Sequence, residues 1–245
     1  QPKLLDFIFN GWGNKFKSAL DNKITLNLSD TLFKALPIAS KAFILEGGSI
    51  ESDGRGVLLT TTQCLLSTTR NSDMTQSQIE HFLKKELGLK KILWLNHGAL
   101  IGDDTDAHID TLARFCAVDT IAYVKCKDSQ DVHYQTLKRM EDELKEFKGL
   151  SGKKYKLVAL PMPDACYAQE GNRLPATYAN FLLVNDGVLV PIYGVRQDQE
   201  ALDRIQNIFP KRKVVGVDCL PLIQQNGSLH CISMQYPSAV KIMLE

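Results

Sequence analysis

The chain has 245 residues, of which 44% are hydrophobic and 23% charged, with a formal net charge of +1. Those proportions fit a globular protein with a large core. A net charge near zero supplies no electrostatic reason to expect nucleic acid or an anionic membrane as partner. No apolar run approaches the roughly 20 residues that span a bilayer, and the chain reads as free of a secretory signal. The six cysteines, Cys64, Cys116, Cys126, Cys166, Cys219 and Cys231, are scattered without a C-x-x-C pair, which argues against a zinc site built from cysteine pairs. Cys64, Cys116, Cys126 and Cys219 sit in apolar surroundings and read as buried free thiols, so a reducing, cytoplasmic compartment is expected.

Along the chain, residues 1–30 read as irregular, with a turn at Asp21-Asn-Lys23. Trp12 there is either a loop aromatic covering the core or a wall of a binding pocket. Residues 43–45 read as a short strand ending at Glu46-Gly-Gly48, where glycines permit a sharp turn or a close approach. A strand is expected over 57–66, then a polar connection containing Arg70. A helix is expected over 75–87, with Ile79, Phe82, Leu83 and Leu87 on one face, Thr75 or Ser77 as N-cap and Gly88 at its end. Further strands are read over 91–95, over 117–124 or 120–125, and over 155–160 and 214–217. Helices are read over 134–147 and 197–209, and a hairpin is read around Asn185-Asp-Gly187. A final short strand or helix follows residue 235. His81, His97 and His133 read as loop or surface histidines. The order predicts a mixed α/β protein built from similar units of several short strands and one helix. No G-x-G-x-x-G and no P-loop is present, so nucleotide binding has no support.

One stretch concentrates charge: Gly102-Asp-Asp-Thr-Asp-Ala-His-Ile-Asp110 carries Asp103, Asp104, Asp106, His108 and Asp110. Such density is costly unless a cation sits among the carboxylates, either a metal or a positively charged substrate. If the chain is extended there, His108 and Asp110 share a face. A metal reading lacks a second histidine at ligand spacing, and the loop lacks the glycine and final glutamate of an EF-hand. Glu46, His108, Asp110 and Cys231 together suffice for nucleophilic catalysis on a cationic, planar carbon. A thiolate attacks, a histidine moves protons and carboxylates hold the cation. A guanidinium suits such a set because it pairs in a fork with carboxylates. Taken alone, however, a cysteine beside a histidine is more often a buried thiol.

Several stretches resemble the agmatine deiminase family, which includes the bacterial-type peptidylarginine deiminases. They are Phe9-Asn-Gly-Trp-Gly13, Leu45-Glu-Gly-Gly-Ser-Ile50, Leu58-Leu-Thr-Thr61, Trp94-Leu95, the 102–110 stretch, Leu112-Ala-Arg-Phe115, Leu174-Pro-Ala-Thr-Tyr-Ala-Asn-Phe181, Val190-Pro-Ile-Tyr-Gly194 and Gly227-Ser-Leu-His-Cys-Ile232. The resemblance implies a pentein, a five-bladed α/β propeller of ββαβ units with the site at its centre. It also implies hydrolysis of a guanidine to a ureido group and ammonia, without metal or organic cofactor.

Carried over by residue, the resemblance makes Cys231 the nucleophile and His108 the general acid/base. Glu46 and Asp110 would bind the guanidinium, with Asp110 also orienting the histidine. Asp104 would face the far amine of the substrate, and Trp12 would line the pocket. The first functional expectation is agmatine deiminase, giving N-carbamoylputrescine on a polyamine route. The alternatives are a deiminase of peptidyl or free arginine, for which Arg173 or Arg196 could meet a carboxylate tail, and a non-catalytic binding module of the same fold. A small guanidine is the expected partner, nucleic acid and membrane are not, and homo-oligomerisation is left open. Two departures stand out. Ala107 replaces the glycine usual before the histidine, and the family's guanidinium-gripping Trp-x-Arg-Asp type motif is not found. Residues 1–245 are therefore expected to form a single catalytic domain lacking about one N-terminal blade, weakly active or inactive by itself.

Overall fold

The computed structural model describes residues 2–29, 31–33 and 36–240. Strands β1 (Leu4–Ile8) and β2 (Ile38–Ile44) pair in parallel as a two-stranded sheet. Three further sheets repeat one plan, and their orders are β3-β4-β5, β6-β7-β8 and β9-β10-β11. They comprise β3 (Ile50–Ser52), β4 (Val57–Thr61) and β5 (Lys91–Leu95); β6 (Ala113–Ala117), β7 (Thr120–Lys125) and β8 (Lys156–Pro161); and β9 (Leu182–Val184), β10 (Gly187–Ile192) and β11 (Lys213–Asp218). In each sheet the first two strands form an antiparallel hairpin, and the third returns parallel to the second. A parallel return needs a long crossover, and a helix supplies it each time: Gln76–Leu87, Tyr134–Glu146 and Asp198–Ile208. The expected ββαβ unit is thus present three times among the described residues.

Local chemistry explains most boundaries. Thr75 and Gln78 form a capping box at the start of the first crossover helix, and Gly88 closes it in the left-handed region at φ 68°. The second crossover helix turns Leu137, Met140 and Leu144 inward, where each fully buried side chain contributes about 2 kcal/mol. The hairpin read at Asn185-Asp-Gly187 joins β9 to β10, with Asn185 at φ 44°.

Other readings need correction. The strand expected over 57–66 stops at Thr61, whose side chain accepts a hydrogen bond from the Cys64 backbone N–H and starts a helical turn, Thr62–Leu65. The strand read over 120–125 is β7, whereas the run beginning at residue 117 crosses the turn of a hairpin whose first strand, β6, no local pattern marks. Residues 1–30 are not irregular, since β1 and the short helix Ile24–Ser29 lie there. A short strand such as β1 is stabilised by a partner far along the chain, which no local pattern shows. Residues 236–240 form neither strand nor helix, and 241–245 lie outside the described residues.

The six cysteines are free. Cys64, Cys126 and Cys219 are buried as expected, Cys166 is buried as well, Cys116 is half-buried and Cys231 is exposed. His81 is exposed, but His133 is 3% exposed rather than a surface residue. Among the described residues no helix is long and apolar enough to cross a membrane.

Candidate active site

The repeated units place polar residues at equivalent points. Glu46 lies just before β3, His108 and Asp110 just before β6, and Asn180 just before β9. His230 and Cys231 follow the helical turn Leu220–Ile223. Residues far apart in sequence meet because each unit contributes the segment leading into its own hairpin.

Glu46 is buried and almost fully engaged. Arg70 donates from Nε to Oε1 (2.9 Å) and Oε2 (3.1 Å), and from Nη2 to Oε2 (3.0 Å). His108 Nε2 lies 2.7 Å from Oε2. Burial by itself would raise the Glu46 pKa, but the hydrogen bonds from His108 and Arg70 outweigh it and hold the carboxyl below its ordinary value. An ionised carboxylate only accepts, so His108 donates from Nε2. Its Nδ1 lies over Gly48, where a Cβ would sit 2.5 Å from Nδ1 and 3.1 Å from both Asp110 oxygens. The glycine at 48 therefore serves a close approach to the histidine and aspartate, whereas a Cβ at Gly47 would meet nothing within 4 Å.

Within the acidic stretch, Asp103 and Asp106 are compensated by the protein's own donors. Asp103 accepts from the backbone N–H groups of Thr105 (3.0 Å) and Ala107 (2.7 Å). Asp106 bridges Arg70 Nη1 (2.7 Å) and Lys15 Nζ (2.6 Å). Asp104 is half-buried, with Asn226 Nδ2 at 3.4 Å. Burial and the neighbouring Asp103 raise its pKa, against the Asn226 hydrogen bond. Ala107 sits at φ 62°, a left-handed backbone that suits the glycine expected at this position. His108 and Asp110 are not on an extended segment, because Ile109–Thr111 is a 3₁₀ turn.

Asp110 differs from Glu46. It is 1% exposed; its Oδ2 lies 2.8 Å from His230 Nδ1, while its Oδ1 has no hydrogen-bond partner among the described residues. Burial would raise its pKa, but the His230 hydrogen bond and the neighbouring His108, His230 and Arg114 keep it below the ordinary value. Cys231 Sγ is 4.0 Å from Asp110 Oδ2 and 3.5 Å from Asn180 Oδ1. Although Cys231 is exposed as a residue, its Sγ faces Asp110 and Asn180, and desolvation there, followed by the negative charge of Asp110, pushes the thiol pKa up to about 12. Asn180 Oδ1 also accepts from the backbone N–H of His230 (2.8 Å) and of Cys231 (3.3 Å).

The Trp12 turn packs against the same edge. Trp12 is half-buried at φ 55° and edge-on to Phe9 and Phe16. A Cβ on its neighbour Gly13 would lie 3.3 Å from Arg70 Nη1. Of the two arginines that could meet a carboxylate tail, Arg173 is paired with Asp131 (2.8 Å) and Arg196 with Asp164 (3.1 Å). Glu46, Cys64 and His108 place ligand atoms within 4.8 Å of one another. The guanidinium of Arg70 already neutralises that carboxylate, and burial raises the Cys64 pKa well above its ordinary value, so the set is poorly suited to a metal ion.

Sequence reasoning misses Arg70, Asn180 and His230 as parts of the site. Asn180 and His230 stand inside motifs of the family resemblance, His230 next to the cysteine itself. Arg70 carries no signal beyond being a charged residue in a polar connection.

The Porphyromonas-type peptidyl-arginine deiminase family matches residues 1–237. A Legionella pneumophila protein provisionally named agmatine deiminase is 35% identical over 97% of this chain and 68% of its own length. A solved structure from Porphyromonas gingivalis, provisionally named arginine deiminase, has 49% identity and a TM-score of 0.96 over 98% of this chain and 72% of that one. The agmatine deiminase of C. jejuni with substrate bound has 46% identity and a TM-score of 0.88 over 94% of this chain and 66% of that one. These comparisons place the protein among hydrolases that act on C–N bonds of the guanidino group. The chain belongs to the Porphyromonas-type peptidyl-arginine deiminase family, within which its relatives carry both agmatine and arginine deiminase names.

Proposed function

We propose that the protein hydrolyses agmatine to N-carbamoylputrescine and ammonia. The observation that carries this reading is the buried, ionised Asp110 with one oxygen lacking any donor. Leaving such an atom unsatisfied costs about 1–3 kcal/mol, and a guanidinium N–H supplies what it lacks. Glu46 Oε1 retains a lone pair beside Arg70 Nε for a second N–H. A cation held there offsets the charge of Asp110 and allows the Cys231 thiol to ionise.

The thiolate then attacks the guanidinium carbon, forming a C–S bond and a tetrahedral adduct. His108, steadied by Glu46 at Nε2, takes the proton released by the Cys231 thiol onto Nδ1 and passes it to the departing nitrogen. The C–N bond breaks, ammonia leaves and a thiouronium remains. Water gives a proton to His108 and attacks the same carbon. The C–S bond breaks, returning the thiolate and releasing the ureido product. Asp104 would face the far amine, and Trp12 would line the approach. The agmatine reading is supported over free arginine by the pairing of Arg173 and Arg196 elsewhere. We infer the finer architecture to be a five-bladed α/β propeller, with residues 1–245 belonging to a single catalytic domain.

Mass spectrometry on the protein offered agmatine, arginine and an arginine peptide together tests the reading. A ureido product from agmatine is expected. Conversion of arginine or the peptide alone would replace the substrate, and no conversion by a protein of verified full length would overturn the activity. Asp104→Asn should raise KM for agmatine, and an unchanged KM would remove Asp104 from the amine end.

A further inference from the structure

His230, the neighbour of Cys231, touches Asp110 on the side away from the unpartnered Oδ1. Its Nδ1 lies 2.8 Å from Asp110 Oδ2, and its Nε2 lies 3.4 Å from Arg114 Nη2. An arginine guanidinium only donates, so Nε2 is the acceptor and the ring proton resides on Nδ1. Arg114 is itself fixed. It is 5% exposed, donates from Nε to Glu51 (2.8 Å) and from Nη1 to the Phe181 carbonyl (2.8 Å), and lies over the Phe181 ring. The chain Glu51–Arg114–His230–Asp110 therefore runs from β3 through β6 to the site. Two hydrogen bonds from the His230 and Cys231 backbone to Asn180 Oδ1 hold the histidine and the cysteine to one support.

We propose that His230 is a positioning residue, locked by Arg114 in its Nδ1–H form so that it occupies Asp110 Oδ2 and leaves Oδ1 as the oxygen presented to a cationic substrate. The oxygen that His230 holds is also the one facing the thiol, with Cys231 Sγ 4.0 Å from Oδ2, so His230 fixes which carboxylate oxygen lies beside the nucleophile. The proposal rests on the deiminase reading for the identity of the cation, while the tautomer and the hydrogen bond stand independently of it.

The test pairs His230→Ala with His230→Asn, because an asparagine amide can donate from about where Nδ1 lies. In turnover of agmatine, His230→Ala should raise KM by roughly tenfold or more, the size expected when a buried carboxylate loses a hydrogen bond. His230→Asn should recover to within about threefold of the wild-type value. A merely structural role would instead lower kcat through loss of folded protein, equally in both variants. Two readouts do not need turnover. Nitrogen NMR of the histidine ring should show the Nδ1–H tautomer. The rate of Cys231 alkylation by cationic chloroacetamidine, divided by that for neutral chloroacetamide, should fall about tenfold in His230→Ala and recover in His230→Asn. An Nε2–H tautomer, equal loss in the two variants, or no loss in either would overturn the proposal. Absence of turnover with the tautomer and the alkylation pattern intact would instead overturn the deiminase reading.

Discussion

The two carboxylates of the site lie in opposite conditions. Glu46 is surrounded by donors, with the Arg70 fork and His108 on its oxygens, and its part of the site is a closed network of charges. Asp110 is equally buried but has one bonded and one unbonded oxygen, beside a thiol that Asp110 and desolvation keep protonated. The Glu46 half is built to stay in place, and the Asp110 half is built to receive. A site made only of the first kind would have nothing left to bind with. One made only of the second would carry uncompensated buried charge at a cost the fold could not absorb.

The sharpest break between the halves is expected at the nucleophile. Cys231→Ala should lower turnover by at least about 10³-fold without changing the urea midpoint. A variant with residual turnover near wild type would place the chemistry elsewhere. With a neutral alkylating reagent, the reactivity of Cys231 should climb with pH toward about 12, because only the thiolate reacts. A plateau near neutral pH would show that the thiol is ionised without a substrate.

Next in size is the contrast between the carboxylates themselves. Asp110→Asn should lower kcat/KM by about 10²-fold or more while moving stability by under about 1 kcal/mol, since it removes a buried charge that lacks a full set of partners. Glu46→Gln should cost about 3 kcal/mol of stability as well as activity, because it leaves Arg70 buried with less compensation. At this chain length that is a fall in Tm of roughly 6–12 °C. Equal stability losses in the two variants would erase the distinction between the halves.

Acid should act on the same contrast. Glu46 and Asp110 both titrate below their ordinary values of 4.5 and 3.8. Asp131, beside Arg173 and His133, is held at about 2. Groups with depressed folded-state pKa values contribute stability above their unfolded values and lose it as pH falls through the folded ones. The urea midpoint should therefore hold from pH 7 to about 5 and then decline. Glu46→Gln should decline less steeply, and parallel curves would show that Glu46 adds no proton-linked stability. The smallest effect is expected at Ala107. Its φ of 62° makes Ala107→Gly stabilising by up to about 1 kcal/mol, or roughly 2–4 °C in Tm. A fall in Tm would mean that the buried methyl group packs better than the strain costs.

Much of the fold is legible in the amino-acid sequence. The crossover helix at Gln76–Leu87 announces its own ends, because a capping box and a left-handed glycine are local devices. The hairpin at Asn185 does likewise, and the motifs around Glu46, His108, Asp110 and Cys231 mark the residues that converge. β1 is not legible in this way, because its partner β2 lies far along the chain, and β6 is missed because the Val118-Asp119 turn that joins it to the adjacent β7 carries no glycine or asparagine signal.

The sequence by itself determined the mixed α/β class, the helices and hairpin with local signals, and the residue types that could carry guanidine chemistry. It could not show that the charges of Asp103 and Asp106 are absorbed by backbone amides, Lys15 and Arg70, or that Arg70 engages both oxygens of Glu46. Nor could it show that His230 takes one oxygen of Asp110 and leaves the other open. Only the tertiary structure decided those points. Whether a buried carboxylate is satisfied depends on donors brought to it from other units of the repeat, and sequence spacing says nothing about which of those donors arrive.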